Sequence, residues 1–274
     1  MMRNILLMAI LLLFPCTQYA DAPSNAPVEF VVVVPSYNNE KYCIGNLESI
    51  FNQTYPYFTV YYINDCSTDK TGQQVDDYIK SRKLEHKCTV VHNETRKGAL
   101  ANLYNTIIKI EPHKVVVSVD GDDRLANSHA LEVVASVYAD KNVWMTYGDY
   151  VFDPLIWTSN NNYIPESVAK TRGFRSHPWV TSHLRTFYAK LFQNIEKEDL
   201  LLNGQFYQMA WDLAMMFPML EMASQGHFRF IPQALYIYNA ANPLNDFRVN
   251  NGLQVQLENH LRNKPAYPAL EQLF

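Results

Sequence analysis

The chain has 274 residues, 48% apolar and 18% charged, a composition that suits a packed core and excludes a disordered polypeptide. The length fits one large domain or two small ones. A net charge of −4 gives no global attraction for a polyanion, so nucleic acid is not expected among its partners.

Residues 1–22 read as an export signal. Arg3 supplies a positive charge, "ILLMAILLLF" is a short apolar run stopped by Pro15, and Ala20 and Ala22 offer small residues for cleavage. The run falls short of the ~20 residues that a comfortable membrane span needs. The mature protein is therefore expected outside the cytoplasm or in a secretory lumen. The alternative is an uncleaved N-terminal anchor, and membrane association is expected through this segment only. Removing it leaves Cys43, Cys66 and Cys88, enough for at most one disulfide, with no CxxC to suggest a zinc or redox site. Asn52 and Asn93 head glycosylation sequons.

From Val28 a regular pattern begins. "VEFVVVVPSY" is an apolar run of strand length bounded by Pro35. Ile44, Leu47, Ile50 and Phe51 then recur at helical spacing. "FTVYYIND" is a second strand, residues 68–81 a helix and "CTVVHN" a third strand. A helix with Leu100, Leu103, Tyr104, Ile107 and Ile108 on one face leads to a fourth strand, Val115–Val119. A helix at about 128–138 and a fifth strand, "VWMTYGDY", complete the alternation. Strands and helices alternating with short connections predict an α/β fold, with a mostly parallel, Rossmann-like sheet covered by helices on both faces. Beyond residue 150 the alternation stops. Residues 154–180 read as one long functional loop, "HLRTFYAKLFQNI" as a helix, and "FYQMAWDLAMMFPMLEMASQ" as a second helix stopped by Gly226. One or two strands are expected in "FRFIPQALYIYN", and a polar helix at about 248–262.

Ligands of such sheets bind beyond the carboxyl ends of the strands. Those ends deliver Pro35, Ser36 and Tyr37, then Asn64 and Asp65, then Asn93, Arg96 and Lys97, then Asp120, Asp122 and Asp123. No GxGxxG follows the first strand and no GxxxxGK[ST] occurs, so a dinucleotide fingerprint and a P-loop are both missing. Asp120-Gly-Asp122-Asp123 crowds three carboxylates at one strand end. Hard divalent ions take such oxygens, and Mg²⁺ fills its other positions with water and substrate phosphates. The cluster therefore points to Mn²⁺ or Mg²⁺ and to a phosphorylated ligand. The alternative is a helix N-cap.

With these residues in view, the chain resembles glycosyltransferase family 2, with its GT-A fold. "VVVVPSYNNEKYCIGNLESIFNQTYP", "YYINDCSTDKT", "NETRKGALANLYN" and "VVVSVDGDDRL" match the family's motifs in order, over about residues 28–130. The resemblance implies a single catalytic domain with a nucleotide-sugar half at 28–150 and an acceptor half with a C-terminal tail at 151–274. It implies a nucleotide-sugar donor, usually UDP-linked, a divalent cation, and inversion at the anomeric carbon by a hexosyl- or N-acetylhexosaminyltransferase. The acceptor, whether glycan, protein or lipid, stays open. Carried onto this sequence, Pro35, Ser36, Tyr37 and Asp65 would bind the nucleoside. Asp120 would lie near the ribose and the metal, Asp122 would be the metal ligand, and Arg96 or Lys97 would neutralise diphosphate.

The family also implies a general base, for which Asp212 is the candidate. It stands on a helical face with Met215, Met216 and Met219, where burial would raise its pKa. Its other reading is a cap or a core ion-pair partner, and Trp211 stands where the family's pair has a first acid. In "SHPWVTSHLRTF", His183 and Arg185 could reach the diphosphate and Trp179 could stack on a sugar, with a surface helix start as the alternative. His177 is a weaker candidate. A different class remains in view, a non-catalytic nucleotide-sugar or glycan-binding protein on the same fold. A nucleotidyltransferase would carry glycines in the loop "PSYNNEKY", which has none.

Overall fold

Four consecutive valines, Val31 to Val34, build the first strand, β1 (Phe30–Ser36), which is buried along its whole length. Branched side chains at Cβ favour the extended backbone, and successive residues face opposite sides of the sheet. Val32 and Val34 join one core cluster, and Val31 and Val33 the other. A computed structural model of the protein describes residues 26–154 and 158–274. The expected export signal lies outside them.

The first half follows the sequence pattern closely. After β1 come α1 (Cys43–Phe51), β2 (Phe58–Asn64), α2 (Thr71–Ser81), β3 (Cys88–His92), α3 (Ala99–Ile107), β4 (Val115–Ser118), the short β5 (Arg124–Leu125), α4 (Ala130–Val137) and β6 (Met145–Asp153). β1 pairs in parallel with β2 on one side and β4 on the other, and β3 extends the sheet beyond β2. Leu47 of α1, Val75 of α2 and Val134 of α4 pack on one face, and Leu100 and Leu103 of α3 on the other. Ile108, given to the apolar face by spacing, falls past the end of α3 and is 44% exposed. Cys43, Cys66 and Cys88 are all free thiols, so the expected option of one disulfide is not taken.

The second half departs from expectation in three places. Residues 158–180 are not one continuous loop, because α5 (Glu166–Thr171) and a 3₁₀ turn at Gly173–Ser176 interrupt it. The segment read as a helix begins with a strand, β7 (Arg185–Tyr188), and only α6 (Ala189–Gln193) is helical. β7 runs antiparallel between β4 and β6 and fills the gap between the two parallel parts of the sheet. Its Thr186 hydroxyl meets Tyr138 Oη at 3.0 Å and Thr146 Oγ1 at 2.6 Å. The third departure is a hairpin, β8 (Leu201–Leu202) and β9 (Gln205–Phe206). It turns on Asn203 and Gly204, whose φ angles of 52° and 79° suit the tight turn that Asn-Gly favours.

In α7 (Trp211–Met222) every residue from Leu213 to Met222 is buried, as befits a helix whose residues there are apolar on all sides but for Glu221. β10 (Phe228–Asn239) pairs in parallel with β6 and antiparallel with β5. Among the described residues the large sheet runs β3-β2-β1-β4-β7-β6-β10-β5, with its long pairings parallel. α8 (Asp246–Val249) and α9 (Asn251–Arg262) follow. The last residues pack back on the core, with Leu273 buried and Phe274 edge-on to Tyr188 at 5.2 Å. Among the described residues, no helix is long and apolar enough to cross a membrane.

Candidate active site at the carboxyl edge of the sheet

A cleft of about 260 Å³ opens where the strands of the first half end. Pro35 and Ser36 at the end of β1 line it with Tyr37, Asp65 follows β2, Arg96 and Gly98 follow β3, and Asp120, Asp122 and Asp123 follow β4. The opposite wall brings His183, Arg185, Gln208, Trp211, Asp212, Asn242 and Gln254.

Asp65 organises the wall formed by the first half of the chain. It is 3% exposed, and its carboxylate accepts hydrogen bonds from the Lys97 and Gly98 amides at 2.9 and 2.8 Å and from Asn93 Nδ2 at 2.8 Å. Burial pushes its pKa up, but these bonds, with help from Asn102, outweigh it and hold the group below the usual carboxylate range. Gly98 adopts φ +89°, and a Cβ there would meet the Gln208 amide at 3.0 Å. Arg96 stacks over the Tyr37 ring at 3.9 Å and lines the cleft. Lys97 is exposed and contributes its backbone amide to Asp65, so of the two cations sequence left open, Arg96 is the one in the cleft. Asn64 is buried against His92 Nδ1 at 3.1 Å, which leaves Asp65 as the member of that pair facing the cleft.

The acidic turn is tied down from three directions. Asn46 Nδ2 donates to the carbonyls of Asp120 and Asp123 at 3.0 and 2.9 Å. Asp123, 1% exposed, accepts from Tyr236 Oη and from the Asn239 amide, each at 2.7 Å. Asp122 accepts from Asn242 Nδ2 at 2.6 Å. Gly121 lets the turn lie against β1, since a Cβ there would run into Ser36 Oγ and the Asn39 amide. Arg124, the adjacent cation, points away and pairs with Asp153 at 2.6 Å. Burial raises the Asp122 carboxyl; burial and then the neighbouring Asp122 and Asp120 charges raise Asp123 well above its ordinary value. Asp120, Asp123 and His183 each offer an atom within 4.8 Å of the others. Asp122, the expected ligand, is not in that trio and is held instead by Asn242. The carboxylates of the turn, rather than the imidazole, fit a hard divalent cation, which would relieve their mutual repulsion.

Arg185 opens β7, and His183 stands two residues before it. His183 is buried, lies flat on the Tyr236 ring at 4.3 Å, and has Nε2 3.1 Å from Arg185 Nη2. A guanidinium only donates, so Nε2 accepts and the imidazole proton sits on Nδ1. Burial, reinforced by the Arg185 charge, holds the His183 pKa well below its ordinary value, which keeps the ring neutral. Arg185 is 2% exposed and lies 5.1 Å over the Trp211 ring. His183 Nδ1 and Arg185 Nε and Nη1 have no hydrogen-bond partner among the described residues. Asp212, at the first turn of α7, has its Oδ2 3.7 Å from Arg185 Nη2 and a side chain 21% exposed. Burial raises its pKa against the opposing pull of Arg185.

Every expected donor, metal and base residue except the Lys97 side chain thus meets at one cleft. Trp179 does not. It packs edge-on against Phe217 at 5.5 Å among the core residues, and Trp211 is the tryptophan that lines the cleft. Asp149 and Asp153, the other acids of the β6 region, also lie outside the lining. Sequence reading missed Asn102, Gln208, Tyr236, Asn242, Asn245 and Gln254. Gln254 sits on a helix that was expected, but spacing alone could not say which side faces the cleft. Asn242 reaches Asp122 across 120 residues of chain, which no local pattern signals.

A mostly parallel α/β sheet with an acidic strand-end turn facing a two-walled cleft is the architecture of the GT-A class. A family model described as Glycosyl transferase family 2 matches residues 31–198. The chain belongs to that family. It is 35% identical over 111 residues to the poly(ribitol-phosphate) beta-N-acetylglucosaminyltransferase TarS of Staphylococcus aureus, covering 40% of this chain and 18% of TarS. The solved structure of TarS 1-349 with UDP-GlcNAc superposes with a TM-score of 0.56 at 21% identity, covering 78% of this chain and 59% of that one. The mannosyltransferase PcManGT from Pyrobaculum calidifontis, in complex with GDP-Man and Mn²⁺, gives 0.59 at 18% identity, covering 89% and 67%. The chain spans half or less of the length of the curated relatives it matches.

Proposed function

We propose that the protein transfers a sugar from a nucleotide-sugar donor, UDP-linked in the first instance, to an acceptor hydroxyl, with inversion and with a divalent cation. The observation that carries this reading is the meeting of the acidic turn, the buried Arg185 and the half-buried Asp212 in one cleft. Solved relatives that hold UDP-GlcNAc, or GDP-Man with Mn²⁺, support the donor class and the cation.

In this reading Pro35, Ser36, Tyr37, Asp65 and Arg96 hold the nucleoside. Asp120 and Asp122 would hold Mn²⁺ or Mg²⁺, whose chemistry there is to offset the negative charge of the diphosphate. The unpartnered N–H groups of His183 and Arg185 donate to diphosphate oxygens, and being buried and fixed they need no reorganisation as charge develops. Asp212 takes the proton from the acceptor hydroxyl. The acceptor oxygen bonds to the anomeric carbon from the face opposite the diphosphate. The carbon–oxygen bond to the diphosphate breaks, and its electron pair leaves with the nucleoside diphosphate.

Nucleoside diphosphate release from a panel of sugar nucleotides with Mn²⁺ tests the reading. Release that stops in chelator is expected. Binding without any release would make the protein a carrier instead. From the apolar run near the N-terminus we also propose that the mature protein lies outside the cytoplasm or in a secretory lumen, with an uncleaved N-terminal anchor as the alternative. N-terminal sequencing of protein from its native host should find a start near Asp21 or Ala22, and an intact Met1 on cytosolic protein would contradict it.

A further inference from the structure

β10 is not a regular strand. Its register with β6 shifts between Ile231 and Ala234 and again between Ala234 and Tyr236. Irregularities of this kind re-aim the side chains that follow. Tyr236 emerges with no exposed surface, paired to Tyr150 on one side and Leu125 on the other. Its hydroxyl lies 2.7 Å from Asp123 Oδ2 and 3.0 Å from the Asp120 amide. A phenol has one proton. It goes to the Asp123 carboxylate, and the same oxygen accepts from the Asp120 N–H. The ring meanwhile lies against His183, with planes 6° apart. One side chain therefore touches the first and last acids of the turn and the imidazole beside them.

We propose that Tyr236 is the positioning residue of the cation site: it anchors the acidic turn through Asp123, so that Asp120 and Asp122 face the cleft as ligands while Asp123 serves as the anchor. This rests on the reading that the turn holds a divalent cation. Both Asp123 oxygens already accept hydrogen bonds from β10, one from Tyr236 and one from the Asn239 amide. Asp122 instead accepts from Asn242, on the segment after β10 that lines the cleft. Partners that orient metal ligands typically change metal affinity 10- to 100-fold when removed.

The test is Tyr236→Phe, which keeps the ring on His183 and removes only the hydroxyl. Mn²⁺ affinity is measured by the electron paramagnetic resonance of free Mn²⁺ in the presence of UDP. UDP affinity is measured separately by calorimetry in chelator. The expected result is Mn²⁺ binding weaker by about 10-fold or more, with metal-free UDP binding within about 2-fold of native. Unchanged Mn²⁺ affinity in folded Tyr236→Phe, or equal losses in both measurements, would overturn the proposal. If that variant does not fold, Asp123→Asn and Asp122→Asn are compared. Asp123→Asn keeps one oxygen for the Tyr236 hydroxyl while losing the bond from the Asn239 amide, and should still cost less Mn²⁺ affinity than Asp122→Asn. The reverse order would make Asp123 a ligand and refute the anchor. Native protein that binds no divalent cation with UDP would overturn the cation reading and this proposal together.

Discussion

Asp212 and Asp122 are both cleft carboxylates with raised pKa values, yet their surroundings assign them different work. Asp212 faces one cation, Arg185, at 3.7 Å and retains some solvent contact. Asp122 sits among acids and accepts from Asn242. Asp212→Asn keeps shape but cannot take a proton at neutral pH. It should lower transfer by about 10²–10⁴ while nucleotide affinity stays near native. Asp122→Ala should abolish transfer and weaken donor binding as well, with the melting temperature of metal-free protein near native, because relief of a repelling charge offsets the lost Asn242 hydrogen bond. A base must be ionised to work. With its pKa raised by burial, Asp212 predicts that kcat/KM falls with acidification at a pH above the ordinary carboxylate range. Paired transfer rates and calorimetry check these outcomes; Asp212→Asn working at the native rate would make that acid structural. At this scale much was legible, because residues at strand ends converge by the geometry of a parallel sheet. Trp179 was misplaced because an aromatic near polar residues looks the same in sequence whether it lines a cleft or packs on Phe217.

β7 shows why elements of the second half were harder to read. Leu184, Phe187, Leu191 and Phe192 recur at helical spacing, yet Phe187 is held in extended chain by pairing across to Val116 of β4 and Met145 of β6, and Leu184 lies just before the strand. A strand inserted between distant partners leaves no local period of its own, whereas the first half alternates in units that each bury their own apolar face. The Asn-Gly hairpin at 203–204 is the opposite case, a local signal present in the sequence and passed over. Buried links between elements were equally silent. Arg175 pairs with Glu221 of α7 at 2.6 and 2.9 Å and donates to the Leu261 carbonyl of α9 at 2.7 Å. Arg175→Met keeps the stem but strands a carboxylate with no exposed surface. Removing one partner of a buried pair costs about 3–5 kcal/mol. The denaturant midpoint should fall accordingly, with nucleotide affinity unchanged in the folded fraction. A midpoint equal to native would show that the pair contributes no net stability.

On the scale of the molecule, the cleft is made by two stretches of chain that carry unequal information. The wall from β1 to β4 is written in contiguous motifs, each a strand end with its turn. The facing wall is assembled from β7, the start of α7, and the segment from β10 to α9, whose cleft residues are single positions scattered over residues 183–254. Asp122–Asn242 and Asp123–Tyr236 join the two walls across more than a hundred residues. The claim that this joined cleft performs sugar transfer is tested most directly by nucleoside diphosphate release from UDP-sugars with Mn²⁺, for native protein beside Asp122→Ala and Asp212→Asn. The account predicts release by native protein, none in chelator or with Asp122→Ala, and a loss of about 10²–10⁴ with Asp212→Asn. Native protein that binds the donor with equal affinity in Mn²⁺ and in chelator and releases nothing would contradict it.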